Sequence, residues 1–319
     1  MSDTAANLFA YTDSDKRYHT YDYFLRHRLG GKCLKIPLDA GFTCPNIDGT
    51  CSRGGCIYCS ARGSGDFAPP PTLPLREQYN RGRAELSRKW PAERCIAYFQ
   101  PHTNTHAPAS VLRPLFEEVL TYPAVVGLNI ATRADCLPPD TVSLLDEPSR
   151  KTVLTVELGL QTAHDATAAR INRGHTFAGF CEGYRRLRAG APRALICVHL
   201  IFGLPGEGEE EMRESVRRVA ELHPDQVKIH LLHVLRGTAL ADLYEAGAYT
   251  PMERDDYVRA VVQALELLPP DTVMARLTGD GAADDLLAPL WSRRKREVLN
   301  EIDKRQRAEN SWQGKDYKQ

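Results

Sequence analysis

The chain has 319 residues, its 41 lysines and arginines are balanced by 41 aspartates and glutamates, and 42% of its residues are hydrophobic. This length and apolar content suffice for one large α/β domain or two smaller ones with a buried core. No apolar run approaches the roughly 18 residues of a transmembrane helix, and the N-terminus lacks the charged-then-apolar pattern of a signal peptide. We therefore expect a cytoplasmic protein that does not enter a membrane.

Along the chain, short apolar runs rich in β-branched residues alternate with longer amphipathic stretches. The runs predict six strands, at residues 33–39, 95–100, 125–133, 152–161, 194–203 and 226–234. The clearest predicted helices lie at residues 75–90, 109–120, 176–190 and 209–222. Strands that are apolar almost throughout indicate a parallel sheet covered on both faces. The sequence therefore predicts an α/β fold, a partial (β/α)6 barrel of the TIM type.

The chain organisation is predicted as three segments. These are an N-terminal extension over residues 1–31, the barrel over 32–270, and a basic C-terminal helix and tail over 271–319 that packs on the barrel. Residues 16–35 carry six lysines and arginines against one aspartate, and residues 292–319 carry nine against five acids. Basic ends on a neutral protein suit an extended polyanion that lies across one face. A solvated helix face is the alternative interpretation of each segment.

Four of the nine cysteines lie in the stretch CPNIDGTCSRGGCIYCS, as Cys44, Cys51, Cys56 and Cys59. In a cytosolic protein such clustering favours metal binding over disulfides. All four can close a zinc site or fully ligate an iron–sulfur cluster used for electron transfer. Alternatively, Cys44, Cys56 and Cys59 bind a four-iron cluster and leave one iron open to a small molecule. The loop follows the first predicted strand, at the mouth where such barrels place their chemistry. This location favours the three-cysteine arrangement, with Cys51 as a bystander.

Polar residues interrupt two apolar strands and follow two others. Glu157 and Gln161 share one face of the fourth predicted strand, and Lys228 and His230 share one face of the sixth. Burying a carboxylate and an ammonium costs several kcal/mol unless each finds a partner. We therefore predict that Glu157 and Lys228 take part in catalysis; a structural Glu–Lys pair that bridges the barrel is the alternative. Gln100 and Asn104 lie at and just after the end of the second predicted strand, and Arg133 and Asp135 lie at and just after the end of the third.

Several long motifs occur in order along nearly the whole chain: DAGFTCPNIDGT, GGCIYC, VELGLQTAHDATAARINRGHT, HLIFGLPGE, VKIHLLHVLRGTALADLY and SWQGKDY. With these motifs the chain resembles the radical S-adenosylmethionine (SAM) superfamily, and within it a short bacterial family of the Elp3-like branch. The usual superfamily spacing is C-x3-C-x2-C. The longer gap between Cys44 and Cys56 departs from that spacing and matches the Elp3-like branch.

The resemblance implies a [4Fe–4S] cluster on Cys44, Cys56 and Cys59, whose open iron binds the amino and carboxylate groups of SAM. Reductive cleavage of SAM then gives methionine and a 5′-deoxyadenosyl radical that abstracts a hydrogen atom from the substrate. The resemblance also implies a set of cofactor-binding residues near the methionine amino group, the SAM carboxylate and ribose, and the SAM or substrate pocket. This set consists of Gln100, Asn104, Arg133, Asp135, Glu157, Gln161 and Arg173.

Elp3-like proteins elaborate the C5 side chain of wobble uridines in tRNA, so the resemblance implies a tRNA substrate. The chain is too short for the acetyltransferase domain of full-length members, so acetyl-CoA is not expected. A reductant such as flavodoxin or ferredoxin is implied as a partner. The alternatives are a radical SAM enzyme acting on a metabolite or peptide, and a non-catalytic zinc or iron–sulfur protein that binds RNA. Trp312 and Tyr317 would either stack on unpaired bases or, as we favour, pack the tail against the barrel.

Overall fold

The computed structural model describes residues 9–63, 68–279 and 284–318. Its strands are β1 (Cys33–Leu38), β2 (Arg94–Phe99), β3 (Val125–Thr132), β4 (Val153–Gln161), β5 (Leu195–Phe202), β6 (Gln226–Leu231), β7 (Val234–Leu235), β8 (Val273–Arg276) and β9 (Leu286–Ala288). Seven of them form one parallel sheet in the order β1-β2-β3-β4-β5-β6-β8, and β7 pairs with β9 in an antiparallel ribbon. The curled sheet is an open partial barrel with β1 and β8 at its edges, which confirms the predicted α/β fold class.

Helices connect successive strands and cover the outside of the sheet. They are α1 (Tyr21–Leu29), α2 (Leu75–Lys89), α3 (Ala109–Leu120), α4 (Pro139–Ser149), α5 (Asp165–Arg170), α6 (Phe177–Gly190), α7 (Glu209–Ala220), α8 (Ala239–Glu245), α9 (Arg254–Leu267) and α10 (Lys295–Ala308). In the three ranges that the structure describes, no helix is both long and apolar enough to cross a bilayer.

All six predicted strands are present, and β8 adds a seventh that the pattern did not predict. β8 is four residues long and ends on Arg276, so it lacks the apolar run that marks the other strands. It comes from the segment predicted as the C-terminal tail, and the sheet therefore continues past residue 270. The division into an extension, a barrel and a tail stays a prediction, and residues 1–8 of the extension lie outside the described residues.

The two faces of the sheet differ in polarity, as β4 illustrates. Val156, Leu158 and Leu160 are buried in the hydrophobic core between the sheet and its helices. The alternate residues Glu157 and Gln161 line the barrel interior. Since successive side chains of a strand point to opposite faces, each interior strand gives an apolar surface to the helices and a polar one to the interior. The polar inner face is where a functional site can form.

The two ends of the chain pack against each other and against β8. The His19 backbone N–H donates to Gln313 Oε1 at 2.9 Å, and the Met274 N–H donates to the His19 carbonyl at 2.8 Å. Tyr317 places its hydroxyl 3.0 Å from His223 Nε2, whereas Trp312 is 39% exposed. Tyr317 therefore packs against the body of the protein, as the favoured interpretation of the tail expects. Several cations of the two basic segments are ion-paired within this junction, among them Lys16 with Asp303 and Arg307 with Asp15.

Candidate active site

One large cavity, of about 1180 Å³, is enclosed by the inner face of the sheet and the cysteine loop, residues 44–60. Its volume exceeds the roughly 300–1,000 Å³ of an ordinary small-molecule site. Nine of the residues predicted for the site line it: Cys44, Cys56, Cys59, Gln100, Arg133, Glu157, Gln161, Arg173 and Lys228. Asn104 and Asp135 are absent from its lining, and they are considered below.

The cysteine loop is folded by its own backbone hydrogen bonds. The Ile47 N–H donates to the Cys44 carbonyl at 2.8 Å, and the Cys59 N–H donates to the Cys56 carbonyl at 3.0 Å. Gly54 and Gly55 take φ values of 84° and 73°, a region that glycine enters without steric cost. These turns bring Cys44, Cys56 and Cys59 to the cavity.

Polar side chains surround the sulfur atoms of the loop. Cys44 Sγ lies 3.0 Å from Thr103 Oγ1, and Cys56 Sγ accepts a hydrogen bond from Asn46 Nδ2 at 3.2 Å. A hydrogen bond from the Cys59 thiol lowers the pKa of Cys56 well below its usual value; burial opposes the shift and the charge of Arg173 adds to it. The thiolate is the form of cysteine that binds metals. The surroundings of Cys56 therefore suit a ligand.

Cys51 differs in its placement from the other three cysteines of the loop. Across the described ranges, no group of three or more His, Cys, Asp or Glu side chains is placed to hold one metal ion. Cys51 is exposed and does not line the cavity, and its Sγ lies 3.7 Å from Arg133 Nη2. The residues present thus fit a three-cysteine cluster better than a closed four-cysteine zinc site.

Asp135 and Asn104 support the cavity from behind its wall. Asp135 accepts from Arg133 Nε at 2.9 Å and from Nη2 at 2.7 Å, which fixes a guanidinium that is only 2% exposed. Asn104 is buried, and its Nδ2 lies within 3.3 Å of the carbonyl oxygens of Phe99, Pro101 and Ala131. Asp135 therefore positions Arg133, and Asn104 joins the ends of β2 and β3. A direct cofactor contact for either residue stays a prediction.

Three polar atoms that line the cavity are buried and have no hydrogen-bond partner among the described residues. They belong to Gln161 (Oε1), Arg173 (Nε) and His230 (Nε2). Gln161 has a φ of 76° at an irregularity where β4 pairs with β5, a costly conformation for a residue with a side chain. A Cβ atom on Gly159 would lie 2.8 Å from Gln161 Nε2, so the glycine leaves room for these groups. Buried donors and acceptors of this kind fit a polar bound molecule such as SAM.

Deeper in the cavity, the carboxylate of Glu157 gathers donors from five strands. We call this group the Glu157 hub. Oε1 accepts from Lys35 Nζ at 2.6 Å and Asn129 Nδ2 at 2.8 Å, while Oε2 accepts from Tyr98 OH at 2.8 Å and contacts His199 Nε2 at 3.1 Å and Lys228 Nζ. A carboxylate offers about four lone-pair positions, so this one is fully used.

Two lysines and a histidine face the single carboxylate of the hub. Burial would raise the pKa of Glu157, but the ammonium groups of Lys228 and Lys35 hold it well below its usual range. Burial also lowers the pKa of Lys35 to about 7 and that of His199 to about 4. Lys35 and Lys228 share the single carboxylate of Glu157. The desolvation cost of burying two ammonium groups falls when one of them loses its proton.

The structure adds Lys35, Tyr98, Asn129 and His199 to the residues predicted from sequence. Lys35 and His199 interrupt apolar strands just as Glu157 does, so the same signal marks them. Asn129 is likewise a polar residue inside an apolar strand. Tyr98 carries no such signal, because an aromatic residue is common in a strand, and only its contact with Glu157 identifies it.

Comparison with known proteins identifies the family to which the chain belongs. A model described as the Radical SAM superfamily matches residues 46–219, and one described as the Radical_SAM C-terminal domain matches residues 224–308. The chain is 48% identical to the uncharacterized protein YtqA of Bacillus subtilis over 97% of this chain and 95% of YtqA. It is 29% identical to human Elongator complex protein 3, over 49% of this chain and 28% of that protein. A solved structure of Elp3 from the archaeon Methanocaldococcus infernus has the same fold, with a TM-score of 0.65 and 16% identity over 88% of this chain and 64% of that one.

Proposed function

The chain belongs to the radical SAM superfamily, whose members bind a [4Fe–4S] cluster and SAM, and from this premise we propose that it is an enzyme that modifies the C5 side chain of a wobble uridine in tRNA. The likeness to Elp3 in sequence and fold supports the proposal. The observation that carries it is the charge of the cavity described next.

The cavity lining carries more basic than acidic side chains. Seven of its side chains are lysines or arginines and two are glutamates: Lys35, Arg81, Lys89, Arg133, Arg173, Lys228 and Arg276 against Glu85 and Glu157. Lysine and arginine contacts to phosphate supply most of the sequence-independent affinity for nucleic acids. A cavity that is larger than an ordinary small-molecule site and positively charged suits a nucleotide of a polyanion beside a bound cofactor.

We assign the cluster to Cys44, Cys56 and Cys59. These three residues would hold the cluster, which together with SAM would supply the radical chemistry for hydrogen-atom abstraction from the substrate. Gln161 and Arg173 have unpartnered polar atoms that would bind and orient SAM, and Arg133 is held in position for the same purpose by Asp135. A reductant such as flavodoxin or ferredoxin would deliver the electron for the cleavage of SAM. The reaction would take place in the cytoplasm, with tRNA as the substrate.

Below this region, the Glu157 hub would bind the substrate. Glu157 is saturated by its donors and acts as a positioning residue. Lys228, whose side chain is 7% exposed, and Lys35, whose side chain is 24% exposed, are the cations that it orients toward the cavity. With a pKa of about 7, Lys35 can hold or release a proton near neutral pH. The lysines thus offer hydrogen-bond donors to the uridine and its C5 substituent.

Nucleoside mass spectrometry of tRNA tests the proposal. Cells whose own gene is deleted would carry the wild-type gene, Cys56→Ala or Cys51→Ala. We expect one C5-modified uridine to disappear and its precursor to accumulate with Cys56→Ala, while Cys51→Ala behaves as wild type. Unchanged tRNA nucleosides would overturn the tRNA proposal and direct the search to a metabolite or a peptide. SAM cleavage by purified Glu157→Gln separates the hub from the cofactor site, because retained cleavage with lost tRNA modification assigns the hub to the substrate.

A further inference from the structure

We propose that the C-terminal end of α2 is a docking surface for an unpaired RNA nucleotide, with Trp90 as the stacking platform. This inference rests on the proposed tRNA function and extends it to a flanking base, several nucleotides from the one that reacts. We call Arg81, Lys89 and Trp90 the α2 rim.

Trp90 is an unusual surface residue. At 58% exposure it is the most exposed large hydrophobic side chain in the described ranges, yet it also lines the cavity. The cavity therefore reaches the surface beside its indole. The backbone N–H of Trp90 donates to the Leu86 carbonyl at 2.8 Å, so the residue is anchored at the end of the helix while its ring stays accessible. An exposed aromatic ring is the element on which proteins stack single-stranded bases.

Charge around Trp90 favours RNA over an apolar partner. Residues 75–90 hold five lysines and arginines against two glutamates. Two of these cations line the cavity with Trp90; Arg81 pairs with Glu77, and Lys89 pairs with Glu85 at 3.0 Å. All four of these side chains are largely exposed, and such surface pairs are weak enough for phosphate groups to compete for the cations. An aromatic ring beside basic groups suits a nucleotide, because the ring can stack on the base while the cations bind the phosphate.

The end of α1 adds further positive charge on the same side. Cβ atoms on Gly30 and Gly31, which follow α1, would lie 3.6 and 3.2 Å from the guanidinium of Arg94, four residues after Trp90. Arg28 and Lys32 flank these glycines and are exposed. The first basic segment seen in the sequence therefore comes close to Arg94, four residues after the α2 rim in the chain, and adds exposed cations there.

The open edge of the barrel connects the rim to the candidate reaction site. In the sheet β1 pairs with β2 alone, and its residues Cys33, Lys35 and Pro37 line the cavity. Trp90 lies near the start of β1, and the cysteine loop follows the end of β1. The six residues of β1, at about 3.3 Å each, therefore separate Trp90 from the cysteine loop by roughly 20 Å. A single strand along this edge can place one nucleotide near the cysteines while another stacks on Trp90.

Fluorescence anisotropy with a labelled anticodon stem–loop RNA tests the inference, using the full-length protein with its reconstituted cluster. Stacking of one base is worth enough that Trp90→Ala should weaken binding about 10-fold, whereas Trp90→Phe, which keeps a ring, should retain most of the affinity. Trp312→Ala is the matched control, because Trp312 is also exposed but does not line the cavity. A fully paired RNA duplex of equal length should bind wild type and Trp90→Ala equally.

The outcomes separate this inference from the function on which it rests. If wild type binds the stem–loop and Trp90→Ala binds it equally well, the stacking platform is wrong while the tRNA proposal stands. If wild type binds no RNA, both are overturned. Equal weakening by Trp90→Ala and Trp312→Ala would also reject a specific role for the α2 rim. Thermal unfolding of each variant establishes that any loss of binding occurs in a folded protein.

Discussion

The Glu157 hub and the cysteine loop are the two polar regions of the cavity, and they are built in opposite ways. The hub lies on strands, and its carboxylate has 0% side-chain exposure and is saturated by donors from the protein itself. The cysteine loop lies between β1 and α2, is held by backbone turns and by side-chain hydrogen bonds such as those of Asn46, and carries an exposed Cys51.

This difference indicates what each region needs in order to be complete. The hub forms when the sheet forms, because its partners are fixed by strand pairing. The loop carries the three cysteines that would bind a cluster, and metal binding contributes directly to the order of the segment that holds it. We therefore expect the hub to control the stability of the fold and the loop to control cofactor retention. Four predictions test this division, from the largest effect to the smallest.

Cys56→Ala should abolish cluster binding. Iron and sulfide should fall from about four each per chain to near zero after anaerobic reconstitution, because the cluster loses one of its three ligands. Colorimetric iron and sulfide determination measures this loss, and Cys51→Ala, with its exposed thiol, should keep the full content. One zinc per chain that depends on all four cysteines would contradict the three-ligand assignment.

Glu157→Leu should lower the free energy of unfolding of the cluster-free protein by about 3–5 kcal/mol, because two buried ammonium groups lose their counter-charge. Urea unfolding followed by circular dichroism measures the change. The double variant Glu157→Leu, Lys228→Met should recover part of the loss, since one of the uncompensated charges is removed with the carboxylate. Cys56→Ala in the same assay should unfold almost as wild type, and a loss as large as that of Glu157→Leu would refute the division between the two regions.

Asn46→Ala should weaken cluster retention without abolishing it. Asn46 is buried and donates from Nδ2 to Cys56 Sγ at 3.2 Å and to the Asn172 carbonyl at 3.1 Å. Residues that hydrogen-bond to a metal ligand typically change metal affinity about 10–100-fold. We expect a correspondingly faster loss of cluster absorbance to an iron chelator. Thr50→Ala, in the same loop, removes a hydroxyl that donates to Asp48 Oδ1 at 2.7 Å and is the control; equal rates for both variants would count against a role for Asn46.

Lys35 should make stability depend on pH. Folding lowers its pKa from 10.5 to about 7, so between these values the unfolded chain binds more protons than the folded chain. The contribution of Lys35 to stability is therefore lowest below pH 7 and rises with pH through this window. The free energy of unfolding of wild type minus that of Lys35→Met should rise by up to about 1.4 kcal/mol per pH unit between pH 7.5 and 9.5. A difference that stays flat with pH would show that Lys35 remains charged in the folded protein.

The sequence was sufficient for the parts of the protein that depend on local pattern. Apolar runs of six to ten residues identified β1 to β6, and their alternation with amphipathic stretches identified a parallel α/β sheet. The spacing of cysteines and their place after β1 predicted the site. Glu157 and Lys228 were found because a charge inside an apolar strand requires a partner.

Only the tertiary structure decided which groups meet. The partners of Glu157 come from β1, β2, β3, β5 and β6, and their convergence depends on how the sheet curls rather than on any property of one strand. β8 is too short to leave a pattern, yet it completes the sheet and brings Arg276 to the cavity. Trp90 ends a helix and reads as an ordinary surface residue in the sequence. Its place at the cavity follows from how α2 packs on β1, because contacts between elements far apart in the chain are set by the whole fold.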